Sequence, residues 1–325
     1  MIDNSTITTA APTIERDRYG RPKVIPPDQG ADAKKVSYTR CTTFVSVLED
    51  RYNLEKWLQR MVATGLAQRP DLVLAAAAAQ DNKSKLNGLC DDAIEAAKGK
   101  AAATTGTALH TLTEMLDRGE DLPALPPDAA RDVAAYQAAT AKLDWVGIEQ
   151  FVVNDPLQVG GTPDRIVQIG GTRHIADLKT GNIGYGRLKI AMQLAMYARS
   201  RAYNPANGDR DPLDVDVDKA LVIHLPQGQA TCTLHWVDIA AGWSAVKVAA
   251  EVRDWRKRDR KGDLLGDPIS FTAADPIGDA IGQADSVAVL EQVWRDNKDS
   301  WTEVHTGSAA VRRQELAAAE TSAAV

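Results

Sequence analysis

The chain lacks most of the features that assign a protein quickly. It has three cysteines in 325 residues, and Cys41, Cys90 and Cys232 are widely separated. An odd, scattered set argues against a disulfide framework and fits a reducing compartment. It also cannot supply the thiolates of an ordinary iron–sulfur cluster. No run approaches the ~18 apolar residues of a membrane span. Residues 1–6 lack the basic-then-apolar pattern of a secretory signal. The expectation is a cytoplasmic protein with no membrane partner. There is no Gly-x-x-x-x-Gly-Lys-[Ser/Thr] loop, so no ATP motor is expected. Neither His-Glu-x-x-His nor paired Cys-x-x-Cys suggests zinc, no elbow motif supports a Ser–His–acid hydrolase, and no internal repeat recurs. Net positive charge is absent too. At −6 the chain is not a dedicated non-specific nucleic-acid binder, although a basic margin around a cleft is compatible with that value.

What is present is an ordinary globular composition, 44% hydrophobic and 25% charged. Residues 1–36 are polar, and Pro22, Pro26 and Pro27 predict a flexible arm. Residues 37–99 read as a helical region packed on the core, with Leu48, Leu54, Trp57, Leu58 and Met61 marking the pattern. A core follows over 100–261. Its helices are expected at about 104–118, 128–142, 188–203 and 238–259, with a polar loop over 209–218. Strands are expected over 145–153, on both sides of Gly170-Gly171, and over 219–225 and 230–236. A linker (262–285) and a helical tail (286–325) complete the chain. Strands before and after a crossover helix indicate an α/β fold with a mixed central β-sheet flanked by helices.

The most informative stretch is 160–181. Two apolar-rich runs meet at Gly170-Gly171, a hairpin signal because both glycines tolerate positive φ. A turn centred there pairs residues whose numbers sum to 341, so Asp164 faces Asp177 and Ile166 faces Ile175. Opposed Cβ atoms lie roughly 4.5–5.5 Å apart, and like charges there repel. Two carboxylates that close favour a cation between them. Alternation puts Lys179 on the face of Asp177. Two acids and a lysine on one sheet face suit metal-dependent phosphodiester chemistry.

Further motifs join that set in chain order: Gly106-Thr107-Ala108-Leu109-His110, then Asp164, Asp177-Leu178-Lys179, and Gln193-Leu194-Ala195-Met196-Tyr197. Together they resemble the PD-(D/E)XK nuclease superfamily, in particular its RecB-like exonuclease branch as found in bacteriophages. The resemblance covers about residues 100–260 and departs from the commoner pattern in having Asp177 where Glu is usual. It implies a restriction-endonuclease-like core and a metal-dependent DNA nuclease, an exonuclease of phage DNA replication, recombination or processing. An endonuclease of the same chemistry, or a non-catalytic nucleic-acid-binding module on the same fold, stays open.

The resemblance also implies roles. Asp164 and Asp177 would hold Mg²⁺ or Mn²⁺ with the Leu178 backbone carbonyl, His110 would be an extra ligand, and Glu149 is an additional acid candidate. Lys179 would stabilise phosphate charge and help position water. Gln193 and Tyr197 would border the site, their stripe extended by Lys189 and Arg201. Glu114 shares a face with His110 but reads more simply as an exposed helical glutamate. DNA is the expected partner. Arg253, Arg256, Lys257, Arg258, Arg260 and Lys261 crowd into nine positions, as a phosphate-contacting rim or a solvated helix end. Tyr185 and Arg187 lie in a loop that could touch DNA. The tail either packs or recruits a recombination or replication protein.

Overall fold

A computed structural model describes residues 13–99, 101–260, 262, 264–266 and 275–323. The chain divides into two compact units, residues 1–261 and 262–325. The first opens with β1 (Lys23–Val24), β2 (Val36–Ser37), β3 (Thr39–Arg40) and α1 (Cys41–Val45). Helices α2 (Tyr52–Gln68), α3 (Pro70–Ala77), α4 (Lys83–Ala96), α5 (Ala101–Asp117) and α6 (Pro127–Thr140) follow. Next come β4 (Asp144–Ile148), β5 (Val152–Asn154), β6 (Val159–Gly161), β7 (Arg165–Ile169) and β8 (Thr172–Lys179). Then α7 (Arg187–Ala198), β9 (Arg201–Tyr203), β10 (Arg210–Asp211), β11 (Lys219–His224), β12 (Thr233–Asp238) and α8 (Ile239–Arg260) complete the unit.

The fold is α/β, with two mixed five-stranded sheets and helices around them. One sheet runs β12-β11-β8-β7-β4, with β11 parallel to β8 and the other pairs antiparallel. Both its faces are covered. Ile166, Ile175 and Val222 pack with α7 and α8 residues such as Met192, Ile239 and Val246. Val167, Ala176, Leu178, Leu221 and Ile223 pack on the other face with Leu109 of α5 and Tyr136 of α6. Burial on both faces explains the continuous apolar run over residues 220–223 of β11. The second sheet runs β10-β9-β5-β6-β3.

Four expectations are corrected. The strand expected over 145–153 is broken at Glu149 (φ 50°), so β4 joins one sheet and β5 the other. The helix expected over 188–203 ends at Ala198, and residues 201–203 become β9. There, pairing with β5 and burial of Ala202 and Tyr203 outweigh the local helical pattern. The described part of the expected arm is held: Val24 and Ile25 are fully buried, the Ile25 amide donates to the Tyr203 hydroxyl (2.9 Å), and Arg210 donates to the Ile25 carbonyl (2.6 Å). Residues 1–12 of that arm lie outside the described residues. Within the expected linker, residues 276–283 form α9 (Pro276–Gln283), capped by Asp275, whose carboxylate accepts from the Gly278 amide (2.9 Å).

The second unit contains α9, α10 (Val287–Asp296) and α11 (Glu303–Ala323) around Ile277, Ile281, Ala284 and Leu290. Among the described residues no helix is long and apolar enough to cross a membrane.

Helix α7 lies close against α8 because Gly242 has no side chain. A Cβ at that position would sit 2.4 Å from the Ala191 carbonyl oxygen, a backbone atom that cannot step aside. Gly242→Ala should therefore destabilise the protein by ~1–3 kcal/mol, despite alanine's better helix propensity. Urea unfolding checks this, and an unchanged or raised midpoint would contradict the close α7–α8 contact.

Candidate functional site

The β7–β8 hairpin turns at Gly170 and Gly171, with φ of 57° and 85°. Their positive φ suits the two-residue turn that matches strand twist. Ile166 pairs with Ile175 and Arg165 with Ala176. Asp164 stands one residue before β7, at the point where β8 runs on past its partner. Its Oδ2 accepts from the Leu178 amide at 2.7 Å, which fixes the carboxylate against the exposed edge of β8. Because a residue's N–H and C=O leave a strand on the same edge, the Leu178 carbonyl points to the Asp164 side as well.

Asp177 lies inside β8 and is 2% exposed. Its Oδ2 is buried with no hydrogen bond, contacted instead by the Lys179 ammonium in an ion pair. Its Oδ1 faces Gln193 Nε2 at 3.5 Å, and that amide also donates to the Tyr197 hydroxyl at 3.2 Å. Gln193 and Tyr197, one turn apart on α7, thus form a wall behind Asp177. Gly161 makes room for that wall, since a Cβ there would lie 2.7 Å from the Tyr197 ring.

His110 arrives from the opposite face of the sheet. Its Nδ1 is 3.5 Å from Asp164 Oδ2. Gly106 permits the approach of α5, because a Cβ there would meet the Thr180 hydroxyl at 2.6 Å. The Gly-Thr-x-x-His motif therefore has a packing reason at its first position and a site residue at its last. Glu149 closes the group. In the left-handed region, at a cost on the order of 1 kcal/mol, it is held by its amide donating to the Asp164 carbonyl at 3.0 Å.

The electrostatics follow from burial of like charges. Desolvation pushes the Asp177 carboxyl up, and the Asp164 charge adds to it, against the lowering effect of Lys179. Burial likewise raises Asp164. Burial opposes the Lys179 charge, but the two aspartates overcome it and hold the ammonium protonated above its usual range. Burial lowers the His110 pKa, which leaves a neutral imidazole able to act as a ligand. Burial, then the charges of Asp164 and Glu114, push Glu149 up to about 7.

Among the described residues, no three His, Cys, Asp or Glu side chains close on one point as a preformed cage. Two carboxylates and a strand-edge carbonyl instead offer hard oxygen donors, and the Asp177 Oδ2 among them is buried with only the Lys179 ammonium against it. That donor set fits Mg²⁺ or Mn²⁺, which retain waters and take phosphate oxygens as further ligands.

Several residues take a different part from the one expected. Glu114 is half-buried, bonded to Arg118 at 2.9 Å, and its charge acts on Asp164 and Glu149. Arg201 lies on β9 and donates to the Arg210 carbonyl (3.3 Å), so it does not extend the α7 stripe; Lys189 pairs with Glu49 at 3.0 Å. Tyr185 is exposed. In the basic cluster, Arg253 stacks on Phe44 (4.8 Å), Arg258 on Trp255 (4.5 Å), and Lys257 pairs with Asp254 (2.8 Å). The Arg260 side chain and Lys261 lie outside the described residues.

A buried network went unseen in the sequence. Arg165 Nε donates to Asp117 at 2.6 Å, Tyr136 donates to the same oxygen at 2.7 Å, and Arg165 Nη1 donates to the Asp164 carbonyl at 2.8 Å. Its members come from β7, α5 and α6 and share no spacing pattern that would have flagged them.

A carboxyl raised by folding holds its proton more tightly folded than unfolded. For Glu149 that stabilisation is complete below about pH 4.5 and is lost as pH rises through about 7. In EDTA, Glu149→Gln should gain about 1–2 kcal/mol on the parent between about pH 5 and about pH 8. Urea unfolding at both pH values tests this, and a pH-independent difference would show that Glu149 is not held neutral.

A scan against protein-family models and a search of curated proteins return no match to this chain.

Proposed function

We propose that the chain is a Mg²⁺- or Mn²⁺-dependent deoxyribonuclease of the PD-(D/E)XK type with a restriction-endonuclease-like core, acting as an exonuclease in phage DNA replication, recombination or processing. The observation that carries this reading is the meeting of Asp164, Asp177 and Lys179 where β8 outruns β7, with Gln193 and Tyr197 behind them. Asp164, Asp177, the Leu178 carbonyl and His110 would hold the divalent ion, whose charge would polarise the scissile phosphate and acidify the attacking water.

The remaining work falls to the chain's own groups. Lys179 is a fixed cation beside the carboxylates, placed to offset charge developing on the phosphate without reorganisation. Gln193 orients the Asp177 carboxylate through its amide. Arg165 holds the Asp164 backbone from below. Glu149, its carboxyl pushed up to about 7 and so part protonated near neutral pH, would limit the negative charge that the phosphate meets.

Purified protein should degrade linear DNA with Mn²⁺ and stop in EDTA. Lys179→Ala should keep the parent's circular-dichroism spectrum while the rate falls about 10²–10³-fold. Linear and covalently closed circular DNA digested in parallel separate the modes. Loss of the linear form alone marks an exonuclease, and loss of both marks an endonuclease. Parent-like cutting by Lys179→Ala would overturn the assigned chemistry, and gel-shift binding without any cutting would point to the non-catalytic module.

A further inference from the structure

Each five-stranded sheet has two edges, and three of these four edges are blunted. The second sheet ends in β10 and β3, each two residues long. In the other sheet, β4 shifts register between Trp145 and Gly147, as at a bulge. Short strands and bulges keep an edge from pairing with another chain. β12 has no such protection. It pairs with β11 without a register shift over all six residues, Thr233–Asp238, and contains neither proline nor lysine. Among the described residues it has no second partner strand.

The free edge of β12 belongs to Leu234 and Trp236. The Ile239 amide donates to the Asp218 carbonyl at 2.9 Å, which continues the β11–β12 register, where paired numbers sum to 457. Hydrogen-bonded pairs recur at every second residue, so residues 237, 235 and 233 bond to β11 while Leu234 and Trp236 turn their N–H and C=O groups outward. The side chains of those two residues share one face of the sheet and are 37% and 54% exposed. His174 packs edge-on against the Trp236 ring, at 4.9 Å between centroids, and holds it in place. His235, on the other face, is exposed as well.

We propose that β12 is the interface for a second copy of this chain, joined by antiparallel β12–β12 pairing about a two-fold axis at His235. The strand is complementary to itself in that register, where paired numbers sum to 470. Leu234 meets the partner's Trp236, and Trp236 meets the partner's Leu234. Both are hydrogen-bonded pairs built from the outward backbone groups, and both set an aromatic ring against an aliphatic side chain. No carboxylate meets another, since Asp238 stands opposite the partner's Cys232. Shifting the register by two residues instead leaves Leu234 opposite the partner's Asp238, or Trp236 opposite the partner's Cys232. The same patch serves both copies, so the pairing closes as a dimer and does not propagate. This inference stands apart from the nuclease reading.

Size-exclusion chromatography with light scattering, run on the full chain, should show a dimer that gives way to monomer on dilution. Leu234→Lys should keep the parent's circular-dichroism spectrum and raise the dimer dissociation constant about tenfold, because the contact is lost twice per dimer. Crosslinking in a Cys90→Ser, Cys232→Ser background reads the register. His235→Cys places two thiols on the axis, where opposed Cα atoms lie about 4.5 Å apart and within disulfide reach, so mild oxidation should link the copies. Thr233→Cys places its two thiols ~14 Å apart along the strands and should not link them. A parent that is monomeric at every concentration overturns the proposal and leaves the edge to a strand of another protein. A dimer unaffected by Leu234→Lys, or linked as readily through Thr233→Cys as through His235→Cys, overturns the β12 pairing.

Discussion

The site depends on the register between β7 and β8. Slipping that pairing by one residue would turn Asp177 and Lys179 away from Asp164, because neighbouring strand residues face opposite sides of a sheet. Two features hold the register. The Gly170-Gly171 turn fixes the pairing at one end, and Ile166 opposite Ile175 buries a matched pair in the core beneath α7. At the open end the Leu178 amide, which has run beyond its partner strand, is taken up by the Asp164 carboxylate. The same bond satisfies a backbone donor and places a functional acid.

Arg165 extends this arrangement from the sheet to the helices. Arg165 and Asp117 are 2% and 3% exposed, and their ion pair ties β7 to α5 while Tyr136 adds α6. A buried ion pair is weak evidence of net stability, but removing one partner leaves an uncompensated charge and typically costs about 3–5 kcal/mol. The pair therefore acts as a positional lock. It fixes α5, the helix that carries His110 and Glu114, relative to Asp164. Arg165 Nη2 remains buried without a hydrogen bond, and the guanidinium charge works against the burial that raises Asp164 and Glu149.

Around that lock, negative charge outweighs positive. The carboxyls of Asp164, Asp177, Glu149 and Glu114 face one lysine, two arginines already committed to Asp117 and Glu114, and a neutral histidine. Burial, and with it the repulsion among buried acids, moves the carboxyls of Asp164, Asp177 and Glu149 upward in pKa. A divalent ion relieves the same repulsion without protonation, and this is the electrostatic basis of the proposed activity. Three cations of α8 have partners of their own. Arg253, Lys257 and Arg258 are engaged with Phe44, Asp254 and Trp255.

What the sequence determined alone was whatever depends on near neighbours. Gly170-Gly171 and the alternation around it defined the hairpin and its register, and the spacing of Gln193 and Tyr197 placed both on one helical face. The break at Glu149 could not be read, because 145–153 alternates as one strand and only membership of two different sheets forces the bend. Nor could β9, whose helical pattern yields to pairing with β5. The tertiary structure alone decided that α5 brings His110 to Asp164, that Glu114 joins the acids, and that Arg165 meets Asp117 across 48 residues. Those contacts are set by how elements stack and by which charges must share a buried space, and neither leaves a periodic trace in the chain.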